Sequence, residues 1–111
     1  MATGTVMNVE PITSEAISGT MLYRIRNVRI LYCQGNWGTM SAATIPSGDR
    51  PSANVYATGM RTSSNDANGY VAKVELSTAG KLTAKYSVGS GYFADFASTN
   101  RLHGVIFVYI V

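Results

Sequence analysis

The chain has 111 residues, 46% of them hydrophobic and only 14% charged, with a net charge of +3. That length suits one domain with a modest core, and a charge content well under the roughly 25% of an average soluble domain suggests surface buried against other chains, with solvation by the many Ser, Thr, Asn and Gly residues as the other reading. The longest apolar run, 105–111, holds seven residues against the ~20 of a bilayer-spanning helix, so no membrane insertion is expected. The basic residues form no long run interleaved with aromatics, so no nucleic-acid partner is expected either.

Period-two alternation recurs along the chain and no window sustains a helical apolar stripe, so the fold is read as all-β. Residues 1–19 carry no basic region followed by an apolar core, which argues against a signal peptide. An edge strand is expected near residues 5–9, ended by Pro11. The stretch "MLYRIRNVRILYCQ" predicts one strand ending near Arg26 and another over 28–34, or a single bent one. The second, "VRILYC", is apolar on both faces, as inside a sandwich. Cys33 is the sole cysteine, so no internal disulfide forms, and its place in an apolar strand predicts a buried, inert thiol.

"GNWG" (35–38) reads as a loop, followed by a stiff turn, "IPSGDRP" (45–51). Pro46 and Pro51 fix φ and donate no backbone hydrogen bond, which rules out a helix there and lowers the entropy of the unfolded chain. Arg50 is read as a clamp on loop carbonyls, and Asp49 and Asp66 as turn formers. "SANVYATGM" is a strand of small residues. In "GYVAKVEL" and "KLTAKYSV", Tyr70, Ala72, Val74, Leu76 and Leu82, Ala84, Tyr86, Val88 mark one face, and Gly80 closes a hairpin over 69–88. Loops are expected over 61–69 and 89–104, the second with a strand or turn around Tyr92 to Phe96. "GVIFVYIV" is apolar at every position from Val105 and must be covered on both faces, by a second sheet of its own or by a neighbouring chain. There is no internal repeat or linker, so residues 1–111 form a single β-sandwich domain, with 1–19 leading to the remainder of a longer protein.

Enzyme signatures are missing. There is no phosphate-binding GxxxxGK[ST] loop, and "GSGYFADF" lacks the third glycine and the following helix of a dinucleotide site. One histidine and one cysteine, His103 and Cys33, give no zinc spacing. The six acidic residues suggest no catalytic carboxylate pair. The expectation is a protein that is not an enzyme, with no metal and no cofactor.

The order of motifs resembles the receptor-binding head (tip) domains of tailed-bacteriophage tail fibres and baseplates. The residues that carry the resemblance are Ile45-Pro46-Ser47-Gly48-Asp49-Arg50-Pro51, then Thr78-Ala79-Gly80-Lys81-Leu82, then Phe107-Val108-Tyr109. It covers about residues 28–111 as a pattern, with Asp49 where those domains carry an aromatic and Ala79 where they carry Asp or Asn. The resemblance implies an antiparallel, jelly-roll-like β-sandwich head assembled as a homotrimer at the virion's tail tip. It also implies other phage tail proteins as neighbours and a bacterial cell-wall saccharide or teichoic-acid-like polymer as receptor. The alternative is a structural fibre or capsid decoration domain that only drives or stabilises trimer assembly; a depolymerase or an unrelated lectin stands behind both.

A saccharide site needs an exposed aromatic ring edged by polar groups. Trp37 between two glycines is the first candidate, with a core plug beneath a loop as its other reading. Tyr92, Asp95, Arg101 and His103 form the second group, with Phe93, Phe96 and Asn100 beside them. There Arg101 and His103 suit the phosphates of an anionic polymer, whereas Phe93 and Phe96 suit pinning the loop to the core. Asn65, Asp66 and Asn68 read as turn residues. The strand tyrosines, Tyr56 among them, read as core or subunit contacts.

Overall fold

The computed structural model describes residues 11–66 and 68–111. Among them run eight strands: β1 Thr13–Ile17, β2 Thr20–Ile25, β3 Val28–Asn36, β4 Val55–Ser63, β5 Tyr70–Leu76, β6 Leu82–Gly89, β7 Tyr92–Asp95 and β8 Asn100–Ile110. All pair antiparallel in one sheet of order β1-β2-β3-β8-β4-β5-β6-β7. The ends of that order, β1 and β7, do not meet, so the sheet is open. The all-β expectation holds. The strand expected at 5–9 lies outside the described residues.

Alternation decides which side chains are buried. Leu22 of β2, Leu31 and Cys33 of β3, and Leu102, Val105, Phe107 and Tyr109 of β8 point inward. Ala72, Val74 and Leu76 of β5 and Leu82 and Ala84 of β6 join the same cluster. Inward residues from strands across the one sheet therefore gather in a single core. Each fully buried Leu or Phe contributes about 1.5–3 kcal/mol of transfer free energy. Cys33 is buried as expected, and desolvation pushes its thiol up to about 12.

The hairpin read over 69–88 is β5–β6, with Leu76 opposite Leu82 and Gly80 at φ +77°. The connection between β3 and β4 crosses the inner side. Its first part was expected as a loop; instead Asn36 caps a short helix, α1 (Trp37–Met40), by accepting a hydrogen bond from the Thr39 amide at 3.1 Å. The expected loop 89–104 is likewise mostly strand, comprising β7 and the start of β8.

The apolar end strand behaves differently from its expectation. His103 and Gly104 form a bulge opposite Gln34, whose Oε1 accepts from the Gly104 amide at 3.2 Å, with Gly104 at φ +71°. The extra residue reverses the phase of alternation. Asn100 and Leu102 point inward before it, and Val105, Phe107 and Tyr109 after it. Ile106, Val108 and Ile110 thus face outward at 54, 65 and 65% exposure. Among the described residues the chain covers one face of that run, and the outward face, Ile106, Val108 and Ile110, is not covered by a second sheet of its own. The bulge also ends pairing on the other side: β4 follows β8 from Asn100 to His103 and no further.

The proline-cornered turn is clamped from two sides. Ile45 N donates to Gly80 O at 2.9 Å, and Arg50 Nε donates to Ile45 O at 2.8 Å. A Cβ at Gly80 would stand 2.7 Å from that carbonyl, so only glycine admits the approach. Asp49, expected as a turn former, is buried between two arginines. Its Oδ1 accepts from Arg24 Nε at 3.0 Å and from Arg29 Nε at 2.6 Å, and its Oδ2 from Arg24 Nη2 at 2.8 Å. Tyr109 OH donates to the Asp49 carbonyl at 2.5 Å. The hydrogen bonds from Arg24, then those from Arg29, hold the Asp49 carboxyl below the usual aspartate range. Burial pushes the Tyr109 phenol up to about 12. Two members of the Arg24, Arg26, Arg29 cluster are therefore engaged internally.

Candidate functional site

The five residues singled out from the sequence do not form one site. Trp37 is only 8% exposed and meets Phe96 edge-on at 5.5 Å between ring centroids. It is a core plug, and its expected role as a stacking platform is withdrawn, because α1 turns the indole inward. Tyr92 and Asp95 lie on β7 at one edge of the sheet, Tyr92 71% exposed and Asp95 3.8 Å from Lys85. Arg101 and His103 lie on β8, separated from β7 by three intervening strands. There His103 Nε2 and Thr62 Oγ1 of β4 share a hydrogen bond of 2.7 Å.

Inward, Phe96 continues an aromatic chain through Tyr86 (5.8 Å) to Tyr70 (6.0 Å). The Arg61 guanidinium sits 4.2 Å from the Tyr86 centroid and 5.4 Å from that of Tyr70. Tyr70 OH donates to Asp66 at 2.9 Å. The Asn68 backbone amide and then the Tyr70 hydroxyl hold the Asp66 carboxyl below its ordinary value. Phe96 thus pins the segment before β8 to the core, and Asp66 braces the segment before β5.

The outward face of β4, β5 and β6 has the composition a saccharide site requires. Register sets its rows: Tyr56 lies opposite Glu75, which lies opposite Thr83; Thr58 lies opposite Lys73, then Lys85, then Asp95. Two shallow depressions merge here, lined by Tyr56, Thr58, Lys73, Glu75, Thr83 and Lys85. Tyr56 is 70% exposed, so its ring forms a wall rather than part of the core. Lys73 Nζ stands 4.5 Å from the Phe93 centroid, which holds it over β7. Adjacent rows on one face are about 7 Å apart and neighbouring strands about 4.8 Å. An apolar ring, two ammonium donors, a carboxylate acceptor and hydroxyls therefore converge within the reach of one small polar ligand.

Sequence reading missed this face because it assigned every strand tyrosine to the core or to subunit contacts. The signal was present in parity. Val55, Ala57 and Gly59 are the small inward residues of β4, which leaves Tyr56, Thr58 and Met60 outward. Along β4 the same outward line reaches Thr62, beside Arg101, so the two groups share one side of the sheet. Among the described residues no cluster of three or more His, Cys, Asp or Glu side chains could hold a metal ion. No protein family, no curated protein and no solved structure matches this chain.

Proposed function

We propose that the chain is a host-adhesion module of a tailed-bacteriophage fibre or baseplate tip, acting by binding alone. Its receptor in this reading is a saccharide of the bacterial surface, a cell-wall polysaccharide or a teichoic-acid-like polymer. The observation that carries the proposal is the exposed Tyr56 ring beside Lys73, Glu75, Thr83 and Lys85 on an open sheet face. The ring stacks on a sugar, Glu75 accepts from hydroxyls, and the two lysines donate to hydroxyls or phosphates. Arg101 and His103 extend the contact along β4 for a longer polymer. The single core that inward residues from strands across the sheet share supports a sandwich-like head of the kind the resemblance implies. Assembly as a homotrimer at the virion tail tip, beside other tail proteins, multiplies a weak single-site affinity through effective concentration.

Co-sedimentation with purified bacterial cell walls and with extracted wall polymer tests the proposal. The chain pellets with wall material, and Tyr56→Ala weakens that binding about tenfold, or ~1.4 kcal/mol. Undiminished binding by Tyr56→Ala would move the site elsewhere. Failure to bind any wall fraction would favour the second reading, a fibre or capsid decoration domain whose role is assembly, which draws on the apolar outward face of β3 and β8.

A further inference from the structure

Three strands present an outward array that the core does not use. Register aligns Met21 with Tyr32 and Ile106, Tyr23 with Ile30 and Val108, and Ile25 with Val28 and Ile110. All nine of these side chains are apolar or aromatic and none is charged. Ile106, Val108, Ile110 and Tyr32 remain 54, 65, 65 and 39% exposed. With its half-buried members, the array offers on the order of 600 Å², the upper end of the ~300–600 Å² of the largest patch on a typical monomer.

We infer that this face, the outward side of β2, β3 and the C-terminal half of β8, is the contact between copies of this chain. Such an area on each partner reaches the low end, about 1,200 Å² in total, of what a stable interface buries. Composition agrees: charge is absent at the centre, and Gln34 and His103 at the bulge, with Arg26 and Asn27 in the β2–β3 turn, border the array as a polar rim. A face without charge can meet an identical face, or the flank of a copy, without burying an unpaired ion. The two true edges of the sheet suit association less. β1 and β7 are short, and carry Glu15 and Asp95, which discourage edge-to-edge pairing. The inference deepens the assembly part of the proposed function and rests on that reading only for the number of copies.

Sedimentation velocity of the chain and of I106K/V108K tests it. The unaltered chain sediments as an oligomer at micromolar concentration. The double variant keeps the strand-type circular dichroism, sediments at the mass of one chain, and associates at least about 100-fold more weakly. Tyr32→Lys, on another strand of the same array, moves the mass in the same direction, whereas Thr58→Lys on the opposite half leaves it unchanged. A monomeric unaltered chain would overturn the inference and leave a different protein as occupant, as would variants of the array that assemble normally. Either result leaves the Tyr56 reading standing, and a Tyr56→Ala oligomer that still binds polymer overturns only that reading.

Discussion

Two outward faces of the same sheet differ sharply. Over β2, β3 and the end of β8 the outward residues from Met21 to Ile110 are aliphatic or aromatic, with Gln34 beside the bulge as the polar exception. Over β4, β5 and β6 they mix one exposed tyrosine and the apolar pair Met60 and Val71 with Thr58, Lys73, Glu75, Thr83 and Lys85. Both halves bury their inward residues in one core, so folding alone requires neither outward composition. An exposed apolar array costs solubility and invites aggregation; a mixed platform does not. The difference therefore points to two uses of the surface, cohesion on one half and recognition on the other.

Substitutions at neighbouring positions sharpen the distinction between core and surface. Phe107→Ala removes a fully buried ring and lowers stability by about 3–5 kcal/mol, whereas Val108→Thr, one residue on and outward, changes chain stability by less than ~0.5 kcal/mol. Chemical denaturation at fixed protein concentration reads both, since association adds to apparent stability. Equal losses would mean that the phase reversal at Gly104 is misassigned. Trp37→Ala and Tyr56→Ala form a second pair. The first unfolds at lower denaturant, by about 3–5 kcal/mol, while the second holds its midpoint and loses polymer binding.

Asp49→Asn is expected to cost about 3 kcal/mol at neutral pH, because it leaves Arg29 without its carboxylate and Arg24 with Glu15 alone. The pH dependence has a definite sign. The folded-state pKa of Asp49 is depressed, so its contribution is present above the unfolded value of about 3.9 and is lost as pH falls through the folded value. The stability gap between the unaltered chain and Asp49→Asn therefore narrows below about pH 4. A gap that stayed constant from pH 7 to strongly acidic conditions would show that the arginines do not stabilise the carboxylate. Smaller still, Gly80→Ala loses about 1–2 kcal/mol through its positive φ and its contact with the Ile45 carbonyl. Urea midpoints across the series check the ranking.

The strongest local signals in the sequence were read correctly. The β5–β6 hairpin is legible because alternation is strict in both strands and Gly80 marks the turn, and Cys33 because its neighbours are apolar. β1 escaped notice because Ser14, Glu15 and Ala16 are poor strand formers on an edge that faces solvent. The bulge at His103 and Gly104 hid the outward half of β8, since an extra residue makes two opposite faces read as one unbroken apolar run. Trp37 misled for a related reason. Flanking glycines say nothing of what covers a ring, and its partner Phe96 lies four strands further along the chain.

The division of faces is tested most directly by oxidative side-chain footprinting of the assembled chain, with and without wall polymer, read by mass spectrometry at Tyr32 and Tyr56. Without polymer, Tyr32 is protected and Tyr56 reacts freely; polymer then protects Tyr56 and leaves Tyr32 unchanged. Equal labelling of the two tyrosines in the absence of polymer, or protection of Tyr32 on adding it, would contradict the account.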